Sequence, residues 1–202
     1  MPSLPTKPAL RERYDRRQEE VVDAAAELFG ANGFQATSMA DLSSATGLTV
    51  GGLYHYVGSK DELLFRICHG LMEPLLDHAR AIAADGSLTP GERLRALLRE
   101  WVGHVIARRH SMLVFGQERH VIEREPRWRE IRRARKEFER VLDDLLEQGR
   151  ASGELSYDDR AVTLLALLGM VNHVPQWYRP RGPLGPDEIA DGYWRLLARA
   201  GS

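Results

Sequence analysis

The segment Phe34–Leu64 constrains the fold most, because it encodes several helix starts and stops within a short stretch. Ser38 is followed three residues later by Asp41, and Ser59 by Glu62. Both pairs fit the capping box, in which a hydroxyl accepts from a backbone N–H of the first helical turn and the acid reaches back. A helix is therefore predicted to begin just after each serine.

Between these two starts, the chain predicts two short helices separated by a tight turn. Met39–Thr46 has helical apolar spacing and is stopped by Gly47, and Thr49 can cap a second helix over Val50–Val57. Two short helices joined by a glycine-containing turn form a helix-turn-helix, whose second helix enters the DNA major groove. The alternative is a pair of ordinary helices in an α-helical domain.

The composition of the second helix favours the DNA-binding interpretation. Gly51 and Gly52 lie in its first turn, where each glycine lowers helix stability by about 0.5–1 kcal/mol relative to alanine. Tyr54, His55 and Tyr56 follow and place three polar tips in one turn. A helix with few apolar residues and many hydrogen-bonding groups is typical of a surface that reads another molecule.

The order of these features resembles the TetR family of bacterial transcriptional regulators over roughly residues 16–66. The end of the first helix, the turn glycine, the aromatic cluster and the lysine after the second helix all stand in register. Val57, where a phenylalanine is usual, and the Gly51–Gly52 pair depart from the family pattern. The resemblance implies a helix-turn-helix DNA-binding domain, predicted over residues 11–60, and an all-helical effector-binding and dimerisation domain over residues 61–202.

The resemblance also implies which residues contact operator DNA, with Tyr54 and Lys60 at positions that resemble phosphate contacts. The predicted set is Thr37, Ser38, Thr49, Val50, Gly51, Gly52, Tyr54, His55, Tyr56 and Lys60. The reading helix itself holds no Arg or Lys, so other segments must supply positive charge. Residues 1–18 have three surplus positive charges, their basic members being Lys7, Arg11, Arg13, Arg16 and Arg17.

Composition agrees with a globular protein of the cytoplasm. The 202 residues suffice for one small and one medium domain, and 43% of them are hydrophobic. No apolar run approaches the roughly 20 residues that a membrane-spanning helix needs. The single cysteine, Cys68, excludes an internal disulfide and suits a reducing compartment. We expect no cofactor, no bound metal and no membrane contact.

The rest of the chain predicts an all-α fold of about nine helices in total. The first helix is predicted over Arg11–Asn32, and a long helix begins at Lys60. Further along, one helix is predicted from about Ser111 to Glu123, and Pro126 is predicted to open the next. Ser156 and Asp159 have the spacing of a third capping box, which predicts a helix reaching about Tyr178.

The segment Val162–Val171 is apolar on every face, so its helix is predicted to be buried all round. In a chain of this length, one side can pack on its own domain while the other needs a partner. This pattern predicts a homodimer, which a palindromic operator also requires, although a central core helix is the alternative. The predicted dimer residues are Leu164, Leu167, Leu168, Val171 and Trp194.

Aromatic and sulfur-containing residues on successive helices indicate an apolar effector pocket. The predicted lining residues are Cys68, Met72, Trp101, His104, Val105, Met112, Phe115, Phe138, Leu142 and Trp177. Such stripes at helical spacing are more often plain core. His104 lies on the same predicted face as Leu97 and Trp101, where its polar tip needs either an effector or a partner within the core.

Two weaker features concern the kind of effector. Arg124–Lys136 holds seven basic residues against two acidic ones, which indicates either a solvated helix face or an anion-binding surface. The segment Trp177–Leu184 resembles family members that control fatty-acid or steroid breakdown, whose effectors are acyl-CoA thioesters. The alternative is an enzyme, a helical bundle that binds a metal or CoA, but no Glu-x-x-His pair or P-loop occurs.

Overall fold

The computed structural model describes residues 8–124 and 126–198, and this part of the chain folds into ten α-helices and one 3₁₀ turn. Lys7 of the predicted basic arm and Glu125 of the predicted basic run lie outside the described residues. The predicted all-α fold is confirmed. The helices are α1 Pro8–Asn32, α2 Met39–Thr46, α3 Val50–Val57, α4 Lys60–Ala84, α5 Pro90–Ala107, α6 Arg109–Gln117, α7 Arg119–Arg124, α8 Arg129–Ala151, α9 Arg160–Trp177 and α10 Pro186–Arg195.

The observed helices differ from the predicted ones in four places, two of which lie before α8. The first helix already begins at Pro8, three residues before Arg11. The single helix predicted from Ser111 to Glu123 is two helices, α6 and α7, which meet at the buried Glu118. The Glu118 carbonyl accepts from Val121 and Ile122 in the first turn of α7. The helix count consequently rises from nine to ten.

The other two differences lie on either side of α8. Pro126–Trp128 forms a separate 3₁₀ turn, and α8 begins only at Arg129. Ser156 is not a helix cap, because its backbone N–H donates to the Leu197 carbonyl instead. Asp159 caps α9 alone, with its Oδ1 atom 2.8 Å from the backbone nitrogen of Val162.

By its internal contacts the chain divides into two units. Of the described residues, the first unit holds those up to Leu71 and those from His110 to Trp128. Its core is formed by apolar side chains from α1 to α4, including Phe29, whose ring meets that of Phe34 edge-on at 5.1 Å. The division predicted from sequence, 11–60 and 61–202, concerns function and stays a prediction.

The second unit runs from Met72 to Arg109 and resumes at Arg129, with α5 at its centre. Trp101 of α5 is buried and meets Phe138 of α8 edge-on, at 4.9 Å between ring centroids. Asp191 of α10 accepts from Arg95 and Arg99 of α5, and these hydrogen bonds, the one from Arg99 first, lower the pKa of Asp191 to about 2. The ion pairs therefore hold α10 against α5 throughout the physiological pH range.

The first half of α4 belongs to one unit and its second half to the other, with the division between Leu71 and Met72. None of the helices in the described residues has the length and apolar character needed to cross a membrane.

Candidate nucleic-acid interface

The two short helices of the first unit begin and end as predicted. The Oγ atom of Ser38 accepts from the backbone nitrogen of Asp41 at 3.2 Å, and a carboxylate oxygen of Asp41 accepts from the Ser38 backbone at 2.8 Å. Gly47 ends α2 with a φ of 67°, a left-handed conformation that favours glycine. The Thr49 hydroxyl caps α3 by accepting from Gly52. The geometry is therefore that of a helix-turn-helix.

The α3 helix packs on the rest of its unit through a narrow apolar stripe. Leu53 and Val57 are buried, as predicted, whereas Val50, Tyr54 and His55 are exposed. Tyr54 keeps 47% of its surface accessible. The helix thus presents polar tips and bare backbone to the solvent, as the second helix of a DNA-reading pair must.

The two glycines of α3 lie in different surroundings, so their lack of a side chain matters for different reasons. A Cβ atom on Gly52 would lie 3.2 Å from the capping Oγ1 atom of Thr49, so Gly52 serves the cap. A Cβ atom on Gly51 would meet nothing within 4 Å, so Gly51 leaves the backbone open toward the solvent. Only Gly51 is therefore placed to allow a close approach of another molecule.

Gly51→Ala should raise the stability of the protein and weaken its DNA binding. Alanine stabilises an exposed helix position by about 0.5–1 kcal/mol relative to glycine, while its methyl group is added to the DNA-reading surface. Thermal melts and operator titrations measure the two effects. Gly103→Ala is the matched control, since Gly103 lies within α5 with equally open space around its Cα atom. Equal operator affinity for Gly51→Ala and wild type would contradict the assignment of this face.

The orientation of α3 is held from α1 by two side chains that sequence analysis did not select. The hydroxyl of Tyr14 donates to the His55 carbonyl at 3.0 Å, and the Gln18 amide donates to the Tyr56 carbonyl. The Tyr14 ring also packs on that of Tyr56, with centroids 4.9 Å apart. These bonds satisfy carbonyls that the end of a helix leaves without partners. Their helical spacing was visible in the sequence, but their acceptors come from a distant segment.

Lys60 does not point away from the protein, as a phosphate contact would. Its Nζ atom donates to the carbonyls of Phe34 at 2.9 Å and Thr37 at 3.0 Å, and lies 4.5 Å from the centre of the Phe34 ring. The ammonium group therefore ties the loop before α2 to the start of α4. A positioning role for Lys60 is therefore supported, and its contact with phosphate stays a prediction.

Among the predicted DNA-binding residues, Thr37 has an inaccessible side chain. Its side chain is 1% exposed, and its hydroxyl donates to the Gly33 carbonyl at 2.9 Å. DNA cannot reach a group so buried. The other predicted residues are accessible or half-buried: Ser38, Thr49, Val50, Gly51, Gly52, Tyr54, His55, Tyr56 and Lys60.

The residues predicted to line an effector pocket fall into both units. Cys68, Met112 and Phe115 belong to the first unit, and the other seven to the second. Burial, together with the nearby charge of Glu118, raises the pKa of Cys68 to about 12, so its thiol stays protonated. The pocket residues that are buried within their units are Cys68, Met72, Trp101, Val105, Phe115, Phe138 and Leu142.

Trp177 differs from the rest of this set because 42% of its surface is exposed at the end of α9. It does not lie in the interior of its unit. His104 and Met112 are half-buried.

Within the protomer the apolar helix α9 is buried on one side only, and its burial on the other side by a partner stays a prediction. Leu167 and Val171 are at most 1% exposed and pack inside their own unit. Val162 and Leu165, by contrast, are 65% and 66% exposed. Of the predicted dimer residues, Leu164, Leu168 and Trp194 are half-buried. One side of α9 thus forms core, and the other is an uncovered aliphatic surface.

Two capped short helices with an exposed polar second helix, followed by a larger helical unit, define a helix-turn-helix DNA-binding regulator. Two family profiles agree with this class. "Bacterial regulatory proteins, tetR family" matches residues 21–67, and "Tetracyclin repressor-like, C-terminal domain" matches residues 87–200. The chain belongs to the TetR family of bacterial transcriptional regulators.

Among curated relatives, the chain is similar to the HTH-type transcriptional repressor KstR2. The Rhodococcus jostii protein is 29% identical over 183 residues, which cover 90% of this chain and 89% of that protein. The Mycobacterium tuberculosis protein is 26% identical over 186 residues, which cover 92% of each.

Solved structures share the fold over nearly the whole chain. The ketosteroid transcriptional regulator KstR2 of Mycobacterium tuberculosis superposes with a TM-score of 0.83 at 24% identity, covering 91% of this chain and 95% of that chain. AibR, solved in complex with isovaleryl coenzyme A and operator DNA, superposes with a TM-score of 0.76 at 27% identity, covering 90% and 98%. The protein is a ligand-responsive, DNA-binding transcriptional repressor, and it is not an enzyme.

Proposed function

We propose that this protein is a homodimeric repressor that binds a palindromic operator in the cytoplasm and is released from it by an acyl-CoA thioester. The similarity to AibR, which was solved with isovaleryl coenzyme A and operator DNA, is the observation that carries the choice of effector. The chain is also similar to the repressor KstR2, whose solved structure is described as that of a ketosteroid transcriptional regulator, and this favours an effector with a large apolar part. An acyl-CoA combines such an apolar arm with a phosphate-rich head.

The second unit contains both apolar side chains that suit the acyl arm and basic side chains that suit the phosphates. Its interior is built from large apolar side chains such as Trp101 and Phe138. Its surface has a cleft of about 430 Å³ between α8 and α9, whose charged lining residues are the basic Lys136, Arg140 and Arg160 and the acidic Glu139 and Asp143. Arg160 is paired with Asp143 and Glu147, whereas Lys136 has no hydrogen bond or ion pair to any residue that the structure describes. A unit that offers both surface cations and an apolar interior suits a coenzyme A thioester.

The dimer is supported by the uncovered surface of α9. Val162 and Leu165 are three residues apart and therefore share one helix face, where both expose about two thirds of their surface. A second copy can cover such a face symmetrically. Two reading helices of a dimer must lie about 34–36 Å apart to enter successive major grooves, so dimer geometry decides operator affinity.

Release of the protein from its operator requires that the effector bind the two states of the protein with different affinity. An effector can lower operator affinity only if it binds the released state more tightly than the DNA-bound state, and the operator then lowers effector affinity by the same factor. The α4 helix belongs to both units, so it is the continuous element through which the two ligands can be coupled.

The test is a titration of the operator complex, the operator being obtained by sequencing DNA that the purified protein selects. Acyl-CoA thioesters of different chain length should raise the operator Kd by about 5- to 150-fold, the usual range of allosteric coupling. Free coenzyme A tests the contribution of the phosphate-rich head alone, and the free carboxylic acids test that of the acyl arm alone. Calorimetry with and without operator should return the same coupling factor for the thioester. Operator binding that none of the thioesters changes would contradict the proposed effector class.

A further inference from the structure

The first unit contains a cleft of about 600 Å³ beside the C-terminal end of α3. It is formed mainly by the exposed side of α1 and closed by aromatic residues of α3. Its lining residues are Leu10, Arg13, Tyr14, Arg16, Arg17, Glu20, His55 and Tyr56. Three of these are arginines and one is acidic, so the cleft is positively charged.

The three arginines differ in what they bind. Arg17 is occupied, because its guanidinium pairs with Glu20 and donates to the Thr46 carbonyl at 2.7 Å. Arg13 and Arg16 make no hydrogen bond or ion pair with any residue in 8–124 and 126–198 and are exposed. They lie three residues apart, so they stand on neighbouring positions of one helix face. Two unpaired guanidinium groups in a concave surface are suited to bind an anion.

Two backbone carbonyls at the end of α3 already have donors. The carbonyls of His55 and Tyr56, in the last turn of α3, accept from Tyr14 and Gln18. These bonds also cover the negative end of the α3 dipole, which would otherwise repel an anion in this position. The arginines are thereby left available for a group that does not belong to the chain.

We propose that this cleft binds a backbone phosphate of the operator at the edge of the major groove that α3 enters, with Arg13 and Arg16 as its donors. The proposal rests on the proposed operator binding. A helix in the major groove is flanked by phosphates, and contacts to them fix its register. Because α3 contains no Arg or Lys and Lys60 is bound to carbonyls, these contacts need charge from another element. The α1 helix supplies that charge beside His55.

The experiment compares Arg13→Gln/Arg16→Gln with wild type on the selected operator at several salt concentrations. Each phosphate contact adds about 0.9 to the slope of log K against log salt, so loss of this one contact should lower the slope by about one per protomer. Affinity at low salt should drop about tenfold or more, while the order of base preferences stays unchanged. Circular dichroism melts should match wild type, because neither side chain has an intramolecular partner.

Arg11→Gln is the matched control. It removes one charge from the same helix, but Arg11 does not line the cleft and lies 4.0 Å from Asp15. Its salt slope should stay close to that of wild type. If the double variant and Arg11→Gln have equal slopes per charge removed, the cleft contributes only long-range charge and the proposal is wrong. If wild type itself selects no DNA, the proposed function fails instead.

Discussion

Leu165→Arg should convert the protein into a monomer and reduce operator affinity by at least about 100-fold. Leu165 exposes 66% of its surface on α9, so the substitution should leave the fold of the protomer intact. In the proposed dimer the same position is covered by an apolar partner, where an unpaired charge is strongly unfavourable. Losing one of two linked DNA contacts removes the avidity gain, which is roughly 10²- to 10⁴-fold for linked sites.

Sedimentation velocity and operator titration measure these two effects. Leu184→Arg is the matched control, because Leu184 is also a half-exposed leucine of the second unit but lies in the loop after α9. It should remain dimeric and bind the operator. Leu167 is one of the dimer residues predicted from sequence, but Leu167→Arg is a poor test, since Leu167 is 1% exposed and its substitution would disrupt the core. A stable wild-type monomer at micromolar concentration would contradict the dimer.

Lys60→Met should lower the melting temperature by about 4–8 °C and weaken operator binding without flattening its salt dependence. The ammonium group donates to the Phe34 and Thr37 carbonyls, and hydrogen bonds to charged groups contribute about 1.5–3 kcal/mol each when they are well shielded. Lys60 is half-buried, so we expect about 2 kcal/mol for the pair, which corresponds to that shift in a chain of this size. Methionine preserves the packing of the stem and removes only the charge.

Lys136→Met provides the control, because Lys136 is exposed and has no partner in the part of the chain that the structure describes. Its melting temperature should match that of wild type. Should Lys60→Met keep the wild-type melting temperature and flatten the salt slope by about one charge per protomer, the ammonium reaches a phosphate in the complex. The role first predicted from sequence would then be the correct one.

The sequence was sufficient wherever a structural feature depends on neighbouring residues. The bounds of α2 and α3, the box formed by Ser38 and Asp41, and the left-handed Gly47 were all predicted correctly. Caps, turns and helical periodicity involve groups within four residues of one another, so local chemistry specifies them. The same reasoning failed at Ser156, because its backbone bonds to Leu197, a residue that is distant in sequence.

The tertiary structure decided what the exposed and polar side chains do. Lys60 and Thr37 were selected as DNA contacts because their positions resemble a family pattern, but their donors are bound to backbone carbonyls of the first unit. Tyr14 and Gln18 looked like ordinary members of an apolar helix face, yet their polar tips hold α3.

The tertiary structure also decided which apolar residues of α9 are buried. Its helix was recognisable from sequence, but a segment that is apolar on every face carries no periodic signal to separate its two sides. Only packing in three dimensions assigns Leu167 to the core and leaves Leu165 uncovered. Sequence therefore determined the helices, the reading motif and the class of protein. The partner of each side chain depended on segments brought together by folding, since a hydrogen bond or a buried contact is specified by distance in space and not by position along the chain.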